Sequence, residues 1–239
     1  MKKIVKLFKL LKSQLWIKGL FFGIPANTEL EELIFDIDTP ETIIDIGSNK
    51  GQFILLIEKN FPQKMIYSFE PILEMINKQK TFFKDNKNIR YYNLGLGNTK
   101  ENKNFLITSR MDSSSFLEIS NKDNGNNNYD IKEERKLEID KLDNILDARK
   151  LKRPILIKID VQGFELETLK GASKILPNVD YIILEVSSSE MYKNQPTEDV
   201  LVDYLRNYNF EIFKSNNWIK IKKTNFVQRD IIFKKKNNE

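Results

Sequence analysis

The sequence predicts an α/β protein in which a mostly parallel sheet carries helices on both faces. Three stretches carry that expectation. Thr42 to Gly51 reads as an apolar strand (Ile43, Ile44, Ile46) that breaks at Gly47 and Gly51, followed by a segment with Phe53, Leu56 and Ile57 at helical spacing. Met65 to Glu70 is a second strand, ending in Phe69-Glu70-Pro71. Ile155 to Ile159 is apolar enough to be buried on both faces, and it too runs through a turn, Asp160-Val161-Gln162-Gly163, into a helix. Strands alternating with helices imply βαβ units. An open sheet of that kind binds its ligand at the carboxyl ends of its strands.

The elements follow in order. Met1 to Gly23 reads as a basic amphipathic helix, with Ile4, Leu7, Phe8, Leu11 and Leu15 on one stripe and Lys2, Lys6, Lys9 and Lys12 off it. Packing on the domain or on a dimer mate is the favoured reading, and contact with an anionic membrane surface is the other. A connector with Glu29, Glu31 and Glu32 completes residues 1–39, and 40–239 form one domain. Its first helix spans 51–60, stopped by Pro62. A helix over 72–83 follows the second strand, and a third strand over 89–94 runs into Gly95-Leu96-Gly97. Asn104 to Thr108 is a short strand. Residues 109–134 have little periodicity and an Asn-rich centre, as expected of a long loop or lid. A strand over 135–140 and a short helix over 141–150 lead to the strand at 155. Beyond it come a helix from 164 to 176, a strand from Tyr181 to Val186 with Glu185 near its end, a helix over 198–207, and two closing strands, 210–214 and 226–233.

Composition narrows the chemistry. The 239 residues contain neither cysteine nor histidine. That excludes a disulfide framework, a thiolate nucleophile, a Cys metal site and the commonest general base, and it fits a reducing cytoplasm. Acid–base work must fall to carboxylates, Lys, Tyr or water. The net charge of +5 is segregated: residues 1–28 carry +6, residues 210–239 carry +5, and the stretch between them −6. No apolar run approaches the ~20 residues of a membrane span, and Lys6, Lys9 and Lys12 interrupt any signal-peptide core.

The loop Gly47-Ser48-Asn49-Lys50-Gly51 lacks the G-x-G-x-x-G spacing of a dinucleotide site. It also follows an acid, Asp45, which would repel a pyrophosphate and attract an ammonium or sulfonium. S-adenosylmethionine (SAM) offers both cations, plus a carboxylate for the helix N-terminus. Asn49 stands at a position that wants positive φ, which Asn tolerates well. Glu70 lies 19 residues beyond Gly51. An acid about 20 residues past such glycines binds the two ribose hydroxyls of NAD or SAM alike. Gly95 and Leu96, after the third strand, are placed to pass close to an adenine.

These residues resemble a known family. Asp-Ile-Gly-Ser-Asn-Lys-Gly-Gln-Phe (45–53) and Tyr-Ser-Phe-Glu-Pro (67–71) are similar to the first two SAM motifs of class I methyltransferases. Asp-Ser-Ser-Ser-Phe (112–116) resembles the serine-rich segment of the FkbM type, and Ile157 to Ala172 resembles that family's most distinctive stretch. The match covers about residues 40–187. The resemblance implies a Rossmann-like, seven-stranded sheet with its last strand antiparallel. It also implies O-methylation, often of sugar hydroxyls on surface polysaccharides or glycosylated products.

On that footing Asp45, Gly47, Asn49 and Gly51 should meet the methionine end of SAM, Glu70 the ribose, and Gly95 and Leu96 the adenine, while Ser115 and its neighbours bind acceptor or cofactor. A sugar hydroxyl needs a base. Asp160 is the first candidate, and Glu165 and Glu185 come next; Lys158 sits one position too deep. The alternative for Asp160 is a helix cap, and for Glu165 a helix-start carboxylate. Asp160 and Glu185 could instead share Mg²⁺, a minority reading. The expected partner is a glycan or small molecule with a free hydroxyl, with no nucleic acid. The amino-methylating Asn/Asp-Pro-Pro-aromatic motif is replaced here by Asp-Val-Gln-Gly. The expected location is cytoplasmic or peripheral at the inner face of the membrane. Rival readings are an NAD-dependent oxidoreductase, a methyltransferase acting on a non-sugar acceptor, and a non-catalytic binding module of the same fold.

Overall fold

A computed structural model of the chain describes residues 10, 13–109, 111–120, 130–220 and 226–236. Ile4, Leu7, Phe8 and Leu11 of the apolar stripe and the Asn-rich centre 121–128 therefore lie outside the described residues, while Leu15 of that stripe packs on the domain. Helix α1 (Gln14–Phe21) starts at Ser13, whose side chain accepts the Trp16 N–H. A single-turn helix α2 (Glu31–Ile34) follows. Then come β1 (Thr42–Ile46), α3 (Gln52–Asn60), β2 (Met65–Phe69), α4 (Leu73–Phe82) and β3 (Ile89–Tyr92). The second half holds β4 (Gly95–Leu96), β5 (Glu101–Thr108), β6 (Ile131–Asp140), α5 (Leu142–Ile145), β7 (Ile155–Ile159), α6 (Glu165–Lys170), β8 (Tyr181–Ser187), α7 (Glu198–Arg206), β9 (Phe210–Ser215), β10 (Ile219–Lys220) and β11 (Val227–Lys235).

The main sheet runs β10–β11–β8–β7–β1–β2–β3. β3, β2, β1, β7 and β8 are parallel, and β11 is antiparallel to β8 and to β9, as expected of the last strand. The sheet has eight strands rather than seven, because β9 and the two-residue β10 share the free edge of β11. Strand alternation splits the core in two. Ile44, Ile46, Ile157, Ile159, Ile182 and Leu184 face α6 and α7, while Ile43, Ile66, Leu156, Ile183 and Ile232 face α1 and α3. The segment 13–37 belongs to that second core. Trp16 is fully buried there and its indole N–H donates to the Leu55 carbonyl at 2.9 Å, so the described part of the N-terminal helix packs on the domain.

Two boundaries need correction. Residues 131–134, expected to lie in the long loop, are the start of β6 and pair with Leu106, Ile107 and Thr108 of β5. Gly95 and Leu96 leave the main sheet and pair with Ile139 and Asp140, forming a small sheet β4–β6–β5 that was not anticipated. β5 and β6 carry Glu101, Lys103, Lys132, Glu133, Glu134, Arg135 and Lys136. So many exposed charges hide the alternation on which a strand is recognised.

Candidate active site

The carboxyl ends of β1, β2, β7 and β8 border a cavity of about 470 Å³, within the range of small-molecule sites. Its floor is the loop after β1. The N–H groups of Gly47 and Ser48 donate to the Phe69 carbonyl at 3.0 and 3.1 Å, tying the loop to the end of β2. Gly47 has φ +73°, and a Cβ there would lie 1.9 Å from the Asp160 carbonyl oxygen, so no side chain fits. Asn49 takes the positive φ expected of it, +48°. Behind the loop the fully buried Gln79 of α4 donates to Ser48 Oγ (2.8 Å) and to the Asn49 carbonyl (2.5 Å), and Ser68 Oγ donates back to it at 2.7 Å. Sequence reasoning missed this brace, since a lone Gln in a helix carries no motif.

Glu70 stands on the cavity wall, 5% exposed. Its Oε2 accepts the Asn49 N–H at 2.8 Å and its Oε1 accepts the Ile72 N–H at 2.9 Å. The side chain is thus fixed, and each oxygen can still accept one more hydrogen bond. Burial pushes its carboxyl up to about 7, against the pull of those two backbone donors. Gly95 and Leu96 also line the wall, as does Asn49, whose Oδ1 is buried without a hydrogen-bond partner.

A row of ionisable groups crosses the sheet on the face shared with α3. Asp45 of β1 is in register with Lys158 of β7, and Glu185 of β8 with Asp230 of β11. Asp160, one residue past β7, lies on the cavity wall with Lys158, Glu185 and Asp230. Lys158 is buried, and its Nζ sits 3.0 Å from Asp160 Oδ2 and 3.8 Å from Asp45 Oδ1. It was expected one position too deep; instead its long stem carries the ammonium up to the site. Burial opposes its charge, yet Asp160 and Asp45 draw its pKa upward on balance. Burial raises Asp45 to about 6, with Lys158 opposing, and Asp230 to about 6. Glu185 is pushed well above the carboxylate range by burial and by the neighbouring Asp160 and Asp230.

The other predicted residues fall differently. Asp45 is wholly buried beneath the cavity, not on its wall, so it acts on the site only through its field and through Lys158. Gly51 (φ +92°) starts α3 and does not reach the cavity. Ser115 is also off the wall. Its hydroxyl donates to the Gln162 carbonyl (2.6 Å) and accepts the Leu117 N–H (3.0 Å), clasping the 111–116 segment to the turn after β7; Ser113 and Ser114 are the serines that line the cavity. Glu165 opens α6, and its Oε1 accepts the Gly163 N–H at 3.0 Å, the helix-start arrangement. Burial lifts it to about 7.

The Mg²⁺ reading does not fit the donor set. Asp160 Oδ1 and Glu185 Oε2 both accept from the Gln162 amide (2.7 and 3.2 Å), Gln228 donates to Glu185 at 3.0 Å, and Lys158 holds the second oxygen of Asp160. A divalent cation there would meet an ammonium and two amide groups. Among the described residues no three acidic side chains are arranged to hold a metal.

SAM fits better. The unspent acceptor capacity of Glu70 suits adjacent hydroxyls, and the orphaned Oδ1 of Asn49 suits a donor. The Gly47 bend leaves room over the loop. Further walls come from Pro25, Asn27 and Glu29 before the domain and from Ile219, Gln228 and Arg229 late in the chain, none of which a motif marks.

This parallel sheet with one antiparallel strand, and a glycine-bent loop facing an acid on the next strand, define a Rossmann-like protein of the methyltransferase class. The chain belongs to the methyltransferase FkbM domain family, which matches residues 45–212. Methyltransferase 1 of Beauveria bassiana is 26% identical over 168 residues, 62% of this chain and 65% of that protein. The hexuronic acid methyltransferase AglP of Haloferax volcanii is 36% identical over 44 residues, 18% of each chain. The chain thus spans less than two thirds of the length of these relatives. M. capricolum TrmK, solved with the cofactor product S-adenosyl-homocysteine, shares the fold at TM-score 0.50 and 11% identity, covering 87% of this chain and 67% of that one. TehB from Haemophilus influenzae does so at TM-score 0.50 and 10% identity, covering 88% and 62%.

Proposed function

We propose that the chain is a SAM-dependent O-methyltransferase whose acceptor is a hydroxyl of a sugar in a surface glycan or glycoconjugate. The observation that carries the cofactor is Glu70, pinned at the end of β2 by the Asn49 and Ile72 N–H groups with one free acceptor position on each oxygen. It accepts both ribose hydroxyls, Gly95 and Leu96 lie along the adenine, and the loop 47–49 holds the amino-acid end. When bound, SAM supplies a methyl group on a cationic sulfur. The protein's part is to place the acceptor oxygen ~3–3.5 Å from that carbon and to exclude water.

Asp160 receives the hydroxyl proton. Its carboxylate is on the cavity wall, its side chain is 30% exposed, and Lys158 and Gln162 hold it in place. The ammonium of Lys158, 3.0 Å from Oδ2, leaves the carboxylate oriented towards the cavity. Glu185 is set apart from it: burial, and then Asp160 and Asp230, push its carboxyl well above the usual carboxylate range and so disfavour its charged form. The sugar class rests on family membership and on the short match to a hexuronic acid methyltransferase.

The test is transfer of labelled methyl from SAM to glycan extracts and to purified glycosides, read as label in the sugar and release of S-adenosyl-homocysteine. The expected result is transfer that Asp160→Asn suppresses. Binding of NAD in place of SAM would overturn the reading.

A further inference from the structure

We propose that the end of α1 is a docking surface for an anionic membrane. α1 buries Trp16 and Gly19 against α3, but its last turn points an aromatic cluster outward. Phe21 is 90% exposed, and Leu20 and Phe22 beside it are exposed as well. Phe21 is the most exposed large apolar side chain among the described residues. Its surroundings are cationic. Lys18 Nζ lies 5.6 Å from the centre of the Phe82 ring, Lys78 Nζ lies 6.0 Å from that of Phe22, and the two rings pack 5.3 Å apart. α1 has no acid, and α4 has only Glu74, at its far end and paired with Arg135. The sequence adds to this sign, since residues 1–28 hold six lysines and no acid. Exposed aromatics flanked by lysines are the combination that settles at a lipid headgroup boundary, the rings entering the acyl edge and the ammoniums meeting phosphate.

The surface adjoins the cavity. Two residues separate Phe22 from Pro25, and Pro25, Asn27 and Glu29 form part of the cavity wall. Docking through Phe21 therefore brings the cavity to within a few residues' reach of the bilayer. A lipid-carried acceptor would then be met at the surface, if the chain transfers methyl groups as proposed above.

The experiment is vesicle co-sedimentation of the full chain. Phosphatidylcholine vesicles are compared with vesicles in which part of that lipid is replaced by phosphatidylglycerol, at low and high salt. The wild type should bind the anionic vesicles, bind the neutral ones far less, and release with salt. Phe21→Ser, at an exposed position, and Lys78→Glu, at a half-buried one, should each weaken partitioning by about threefold to tenfold. Val200→Ser, at an exposed position on α7, should not change it. Melting temperatures near that of the wild type show that the variants fold, and none of the readouts requires turnover. Absence of binding to anionic vesicles overturns the proposal, as does equal binding to neutral ones. So does binding unchanged in both Phe21→Ser and Lys78→Glu, or a concentration-dependent dimer that Phe21→Ser dissolves, which would make a second copy the occupant.

Discussion

Replacing Glu70 by Gln probes the cofactor end with little change of volume. An ionised Glu70 offers two charged acceptors to the ribose hydroxyls while its oxygens hold the Asn49 and Ile72 N–H groups. The amide keeps one acceptor and turns an NH₂ towards one of those N–H groups. Hydrogen bonds to charged groups contribute about 1.5–3 kcal/mol each. Losing one and weakening the other should cost about 2–4 kcal/mol, or roughly 30- to 700-fold in Kd for SAM. The pH dependence is the sharper signature. Burial holds the Glu70 carboxyl at about 7, and hydroxyl donors favour its ionised form. Wild-type affinity should therefore rise with pH up to about 7, level off above it, and fall by up to about tenfold per unit below it. The Gln variant should lack that step. Calorimetric titration with SAM across pH reads both. A Gln variant within about threefold of the wild type, or a wild type with no step near neutrality, would refute the assignment.

Other outcomes follow from the same geometry. Asp160→Asn should lower kcat by about 10²–10⁴ with little effect on SAM affinity, whereas Glu165→Gln, altering a residue that serves its own helix, should leave kcat within about threefold; single-turnover kinetics separates the two. The cofactor-free protein should be more stable at mildly acidic than at mildly alkaline pH. Asp45 and Asp230 at about 6 and Glu70 and Glu165 at about 7 all lie above their unfolded values, so between about 5 and 7 the folded state holds protons that the unfolded chain has shed, and stability falls as pH rises through that window. Calorimetric melting across that range checks the direction. Trp16→Ala should cost about 3–5 kcal/mol, through lost packing and an orphaned Leu55 carbonyl, seen as a lowered denaturant midpoint.

The strands and their loop were legible where local chemistry is unambiguous. Ile43–Ile46 and Ile155–Ile159 are apolar but for one charged residue each, Asp45 and Lys158, Asn49 occupies a left-handed position that few residues tolerate, and Glu70 lies at a distance set by one βα unit. What escaped depends on geometry that spacing does not carry. Lys158 reads as too deep if only its Cα is counted; two residues of strand span about 6.6 Å, a distance that a lysine stem covers. Asp230 was missed because β11 runs antiparallel, so its first residues, not its last, arrive at the carboxyl ends of the parallel strands. Ser115 looked like a ligand contact because a serine run is ambiguous between a hydroxyl for a substrate and one for a neighbouring carbonyl.

The place of β11 in the sheet has a consequence for how the protein comes into being. The groups proposed to hold the cofactor lie between Gly47 and Leu96, but Gln228, Arg229 and Asp230 complete the wall only after β11 has slotted between β8 and β9. At translation rates of about 5–20 residues per second, roughly 7–27 seconds separate the emergence of Leu96 from that of Asp230. During that interval the nascent chain can already own a nucleoside pocket while lacking one side of its acceptor chamber. The side of the cavity built by Gln228, Arg229 and Asp230 is therefore the last to be made.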